Sequence, residues 1–342
     1  MSKEGAARKL ASAAVYGGGG LTVMGAALFG VLTTEAKLAR RRIGEAVLEV
    51  HEATGWYGRA RSGSPISIAW LGDSSAAGYG VEQVEETPGA VLASTVAERA
   101  ERPVDLRSYA VVGAQSSDLA GQVDRALTQD PDVAIILVGV NDVTHGVRPS
   151  ASVGYLGDAV RRLREQGVEV IVGTCPDLGT IKPLMTPLKQ LARSWSRRIA
   201  AAQTITVVET GGRSVSLASV LGREFSMAPA LLFGPDQFHP SATGYHALAQ
   251  VLIPSVLAAL GVIPEEQVES ARGEGVLPIT AAALRAVESP GTEIGGTQVG
   301  GKTFGVRGLW VTLRHRRRQP EGRPEAPRAL PDQDPDDAPV TG

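Results

Sequence analysis

With 342 residues the chain is long enough for one or two domains, and 43% hydrophobic content supports one sizeable core. A formal net charge of -2 offers no electrostatic case for nucleic acid, and no nucleic-acid motif accompanies it. Cys175 is the single cysteine, which excludes an intramolecular disulfide and any Cys-based zinc site.

Residues 1–42 form a basic-flanked apolar segment. From Leu10 to Thr34 no charged residue occurs; as a helix that stretch reaches about 37 Å, against a hydrocarbon core of about 30 Å. The sequence therefore predicts a membrane helix here, tempered by Gly17 to Gly20 and several hydroxyl residues. Ala14, Gly18, Thr22, Ala26 and Gly30 recur every fourth residue, a small-residue ridge that suits helix-mediated homodimerisation. Lys and Arg residues flank both ends, so the side of the membrane on which the rest lies stays open.

Residues 43–64 read as a short helical connector ending in Arg61-Ser62-Gly63-Ser64-Pro65. The apolar run Ile66 to Leu71 stops abruptly at Gly72-Asp73-Ser74, the pattern of a buried strand whose carboxyl end opens into a loop. Thr87-Pro88 caps a helix running to about Ala100, and a strand is expected from about Val104 to Val112. Leu119, Val123, Ala126 and Leu127 share a helix face, and Val133 to Val138 is the most apolar strand. Leu156, Ala159, Val160 and Leu163 mark another helix, followed by a strand over Val168 to Val172. A further helix carries Leu188, Leu191, Trp195 and Ile199, with a last strand expected at Ile205 to Val208. Ser241 to Leu260 reads as a closing helix interrupted at Pro254. Repeated β-α units imply a three-layer α/β/α sandwich around a parallel sheet, in a flavodoxin-like arrangement over residues 65–262.

The remainder, 263–342, reads as a largely disordered extension with Ser289 to Gly301 unstructured. It carries the basic cluster Arg314-His315-Arg316-Arg317-Arg318, a solvated charge run or a contact for anionic headgroups.

Ser74 follows a strand and is a candidate nucleophile, but a hydroxyl needs a base, and that base needs a group to fix its tautomer. Asp236 and His239, three residues apart in one turn, offer such a pair. Val111-Val112-Gly113-Ala114 and Gly139-Val140-Asn141-Asp142 end two other apolar runs. Together with Gly72-Asp73-Ser74 and Asp236-Gln237-Phe238-His239, they resemble the four signature blocks of the SGNH (GDSL-type) esterase and lipase superfamily. The match spans roughly residues 65 to 260.

The resemblance implies hydrolysis of a small-molecule carboxylic ester through an acyl-Ser74 intermediate. In it, Asp236 and His239 complete the triad, and the Ser74 N–H, the Gly113 N–H and the Asn141 side chain form the oxyanion hole. It implies no cofactor and no metal. Two departures stand out: Tyr109-Ala110-Val111-Val112 occupies the region where the family often has an Asn, and Ser75 replaces the Leu that often follows Gly-Asp-Ser. A nucleophile elbow, G-x-S-x-G, fails at Ala76, and no H-x-x-x-H accompanies His239 to suggest metal. A carbohydrate O-acetyl esterase and a non-catalytic membrane-anchored binding protein of the same fold are the alternatives. His51, His145, His246 and His315 read as packing or surface residues, and Trp195, Phe225 and Phe238 as core residues or lining of an acyl pocket.

Overall fold

The computed structural model describes residues 30–35, 37–38, 50–181, 183–217, 232–264, 275–299, 302–304 and 310–315. Five parallel strands form its centre: β2 (Ile66–Gly72), β3 (Val104–Ser108), β4 (Val133–Leu137), β5 (Glu169–Gly173) and β6 (Arg213–Val215). Their spatial order is β3-β2-β4-β5-β6, the flavodoxin-like order, so the chain reverses its direction of winding between β2 and β4. Ligands of open α/β sheets gather beyond the strand ends at such a point.

Side chains alternate across the sheet and select the two outer layers. Ile66, Ile68 and Trp70 of β2 pack on one face with Leu92 and Val96 of α3 (Pro88–Ala100) and Leu252 and Val256 of α8 (Ala242–Ala259). Ala69 and Leu71 point the other way, onto Leu119 and Val123 of α4 (Leu119–Ala126) and Leu156 and Leu163 of α6 (Pro149–Glu165). The central strands are covered on both sides, which is why they read as continuous apolar runs.

The sheet is mixed, not purely parallel. β1 (Gly55–Tyr57), within the stretch expected to be a helical connector, pairs antiparallel with β3. At the opposite edge β8 (Thr292–Val299), β10 (Trp310–His315) and β7 (Gly275–Pro278) continue antiparallel from β6, and β9 (Lys302–Phe304) pairs with β8. Among the described residues of the expected disordered extension, 263–342, four strands and a helix are formed, and most of 289–301 is strand. Its helix α9 (Ile279–Glu288) sets Ile279, Ala282 and Ala286 against Val208, Ile294 and Val311. Glu293 of β8 is fully buried: it accepts a hydrogen bond from Ser255 Oγ at 2.5 Å and pairs with Arg213 at 3.5 Å and Arg314 at 3.7 Å. Arg314 of the basic cluster therefore turns inward; residues 316–318 lie outside the described residues.

Three local expectations are corrected. Ile205 to Val208 is not a strand but the last turns of α7 (Leu188–Glu209), because Ile199, Gln203 and Val207 continue one buried helical face. β3 ends at Ser108, although the N–H groups of Tyr109 and Val111 still donate to the carbonyls of Trp70 and Gly72. α8 runs through Pro254 without interruption: proline forfeits one intrahelical hydrogen bond, and the buried residues on both sides keep the helix packed in the core.

Of the apolar N-terminal segment, residues 10–29 lie outside the described residues, and residues 30–35 are helical and form α1. Glu35 accepts a hydrogen bond from the Leu188 N–H at the start of α7. Among the described residues α8 is the helix long and apolar enough to cross a membrane by composition, yet most of it is buried in the core.

Candidate active site

Gly72 closes β2 with φ 140°, and a Cβ there would stand 1.9 Å from the Leu137 carbonyl oxygen. The chain can make this approach only with glycine, and it throws Asp73 and Ser74 onto the rim of the sheet. Asp73 then caps α2 (Ser74–Ala77), accepting from the Ser75 N–H at 2.9 Å, while Trp70 Nε1 donates to the Ala76 carbonyl from below. Ser74 thus sits buried in the first turn of α2.

Asp236, Gln237, Phe238 and His239 form a tight turn ahead of α8. Gly234 N–H donates to the His239 carbonyl, Gln237 takes a positive φ of 55°, and Ser241 caps α8. In that turn Asp236 Oδ2 lies 2.6 Å from His239 Nδ1, and its Oδ1 accepts the N–H groups of Phe238 and His239 at 3.0 Å each. His239 Nε2 lies 3.1 Å from Ser74 Oγ. The structure therefore brings Ser74, His239 and Asp236 into one continuous chain, with residues from two distant parts of the sequence. Tyr79 and Phe238 set ring edges against the imidazole at 4.8 and 4.9 Å. Burial alone raises the Asp236 carboxyl, but its bonds from His239 and the Phe238 N–H outweigh it and hold the group below the ordinary carboxylate range.

Asn141 lies in the first turn of α5 (Val140–Thr144), after Gly139 at φ 132°, and its Nδ2 donates to the Ala114 carbonyl at 3.0 Å. Gly113 stands in the facing loop with φ 85°, one residue from that carbonyl. The loops after β2, β3 and β4 thus carry Ser74, Gly113 and Asn141 respectively, on the rim where the winding reverses.

Several groups that hold this rim read as ordinary polar residues in the sequence. Gln122 of α4 is buried, and its amide receives the Gly72 N–H at 2.8 Å and donates to the Gly72 carbonyl at 2.9 Å, as a neighbouring strand would. Gln203 of α7 likewise accepts from Cys175 N–H at 2.7 Å and donates to the Val138 carbonyl at 3.0 Å. Both occupy buried-face positions in their helices, the one signal of their role that the sequence carries. Asp73 is buried, and burial pushes its carboxyl up to about 6 against the bonds from Ser75. Its Oδ2 has no hydrogen-bond partner among the described residues, and it lines a cavity of about 20 Å³ shared with Leu137, Val140 and Leu248.

Trp195 donates to the Val147 carbonyl at 3.2 Å and packs in the cluster of Cys175 and Ile199. Phe238 packs on Val140, Leu178 and Ile181; Phe225 lies outside the described residues. His145 and His246 are surface residues with local partners. His51 is half-buried, and His315 lies in β10.

A model of the GDSL-like lipase/acylhydrolase family matches residues 70–247, more than half of the chain. The chain is similar to the GDSL-like esterase Rv1075c of Mycobacterium tuberculosis, 42% identical over 199 residues. That match covers 57% of this chain and 63% of the relative, so the chain spans somewhat under two thirds of the relative's length. Among solved structures it is similar to LAE5, an alpha/beta hydrolase enzyme from the metagenome of Lake Arreo in Spain. Identity there is 20% and TM-score 0.47, covering 59% of this chain and 97% of that one. It is also similar to a catalytic mutant of Axe2, an acetylxylan esterase from Geobacillus stearothermophilus. Identity is 18% and TM-score 0.46, covering 59% of this chain and 96% of that one.

Proposed function

The chain belongs to the GDSL-like lipase/acylhydrolase family, and from that premise we propose that it hydrolyses carboxylic esters through an acyl-Ser74 intermediate. The observation that carries this reading is the unbroken chain from Ser74 Oγ through the His239 ring to Asp236. His239 Nε2 takes the hydroxyl proton as Ser74 Oγ attacks the ester carbonyl, and the Asp236 carboxylate holds the opposite nitrogen as a donor and offsets the charge on the imidazolium. The new C–O bond leaves a negative charge on the carbonyl oxygen. In this reading the N–H groups of Ser74 and Gly113 and the second amide hydrogen of Asn141 receive that charge. Collapse breaks the ester C–O bond, and His239 returns its proton to the departing alcohol. A water then repeats the sequence on the acyl-Ser74 and releases the carboxylic acid.

Ser74→Ala tests the assignment: the folded variant should lose ester turnover by several orders of magnitude. Near-normal turnover would sink it. A panel of esters with graded acyl chains and acetylated sugars would then define the substrate. We further propose that the segment Leu10 to Thr34 tethers the catalytic domain to a membrane, on the strength of its length and lack of charge.

A further inference from the structure

Asp142 follows Asn141 directly and is buried at 1% exposure, yet it faces no cation among the described residues. What it faces is the loop that carries Gly113. Both of its oxygens lie 3.3 Å from the Ser116 backbone nitrogen, and Oδ2 accepts from Ser116 Oγ at 2.8 Å. Ser116 Oγ lies 3.1 Å from Ser152 Oγ of α6, and Ser116 and Ser152 are fully buried. Since a carboxylate only accepts, the hydroxyl of Ser116 must point at Asp142, which leaves Ser152 to donate to Ser116. The order of donors is fixed along the whole chain.

We propose that Asp142 is a positioning residue that sets the distance between the two loops bearing Gly113 and Asn141. The proposal rests on the reading of those two residues as oxyanion donors. Gly113 and Ser116 are three residues apart in the segment after β3, and Asn141 and Asp142 are adjacent in α5 after β4, so the clasp and the donors move together. Asn141 adds a second tie through the Ala114 carbonyl. A buried polar group is justified by its partners, and here, beyond its own backbone, the Asp142 carboxylate is met by the N–H and hydroxyl of Ser116 on the opposing loop. Donors aimed at a developing charge lose most of their value when displaced by a fraction of an ångström, because preorganisation is their whole contribution. Asp142 touches neither substrate nor nucleophile in this account; it acts through the two loops.

The readout is the ratio of kcat/KM for an ester to that for its thiono analogue, in which sulfur replaces the carbonyl oxygen. Sulfur is larger and a poorer acceptor, so a hole shaped for oxygen favours the ester, and general loss of active protein cannot change the ratio. Asp142→Asn presents an amide hydrogen to the Ser116 donors and opens the clasp. It should lower kcat with KM nearly unchanged and reduce the ratio at least about tenfold, part of the hundredfold to thousandfold cost of deleting a donor outright. Asn141→Ala, assayed beside it, should also reduce the ratio. If Asp142→Asn does not fold, Ser116→Ala decides, with a severalfold reduction expected from the loss of one bond. A folded Asp142→Asn with the wild-type ratio overturns the clasp, provided Asn141→Ala lowers it. An unchanged ratio in Asn141→Ala removes the oxyanion reading itself and the clasp with it.

Discussion

Asp73→Asn should make the protein more stable at pH 8 than at pH 4 relative to wild type, because the native carboxyl is costly to ionise. Asparagine is as good a helix cap as aspartate, so the bond from the Ser75 N–H survives the change. Burial raises Asp73 from 3.8 to about 6, opposed by the Ser75 bonds and the attraction of His239. A carboxyl raised in the folded state contributes stability that is complete below the unfolded value and is lost as the pH climbs through the folded one. The window is therefore about pH 4 to pH 6. Two units correspond to about 3 kcal/mol, of which roughly 2–3 kcal/mol falls between pH 4 and pH 8. The variant escapes that loss. Its new amide N–H groups face the cavity of about 20 Å³, room for one water. An unmet donor there costs about 1–3 kcal/mol, but equally at both pH values. Urea unfolding of both proteins at pH 4 and pH 8 isolates the ionisation as the difference between the two stability changes. A stability change that is the same at both pH values would refute the assignment of a raised carboxyl beside the nucleophile.

Asn141→Asp places a carboxylate where charge develops, whereas Asn141→Ala only removes a donor worth about 2.7–4 kcal/mol in comparable sites, so steady-state kinetics at neutral pH should rank Asp below Ala in kcat. Wild-type kcat in the Asp variant would leave Asn141 a structural residue of α5 and not an oxyanion donor. Gly72→Ala forces a Cβ against the Leu137 carbonyl at a positive φ, and thermal melting should show severe destabilisation or no folded protein at all; a wild-type melting temperature would contradict the geometry of that turn. Removing residues 1–42 should move the protein from the membrane fraction to the soluble fraction with esterase activity kept, and a full-length chain soluble without detergent would end the tether proposal.

The central strands were legible because burial on both faces leaves an unbroken apolar run, as in Val133 to Leu137, and turn residues mark its end. The β-branched run at Ile205 to Val208 misled because local propensity favours a strand there, while packing along the face of Ile199, Gln203 and Val207 makes it helix. The C-terminal strands were hidden by glycines and by Glu293, a charge that no hydrophobic pattern places in a core; it is buried because Ser255, Arg213 and Arg314 converge on it. At the site, Asp236 and His239 stand three positions apart in one turn, so their pairing was legible; the supports Gln122 and Asp142 were not. A polar side chain looks the same in sequence whether water or a strand end satisfies it, and only the fold brings Gly72 to Gln122 and Ser116 to Asp142.

Covalent capture at Ser74 tests the central claim most directly. The folded protein, treated with a fluorophosphonate and digested, should yield a single phosphonylated peptide containing Ser74, formed at a rate that collapses in His239→Ala and absent in Ser74→Ala. Labelling that persists in Ser74→Ala, or that proceeds unchanged without the His239 ring, would contradict a nucleophile activated by the Asp236–His239 pair.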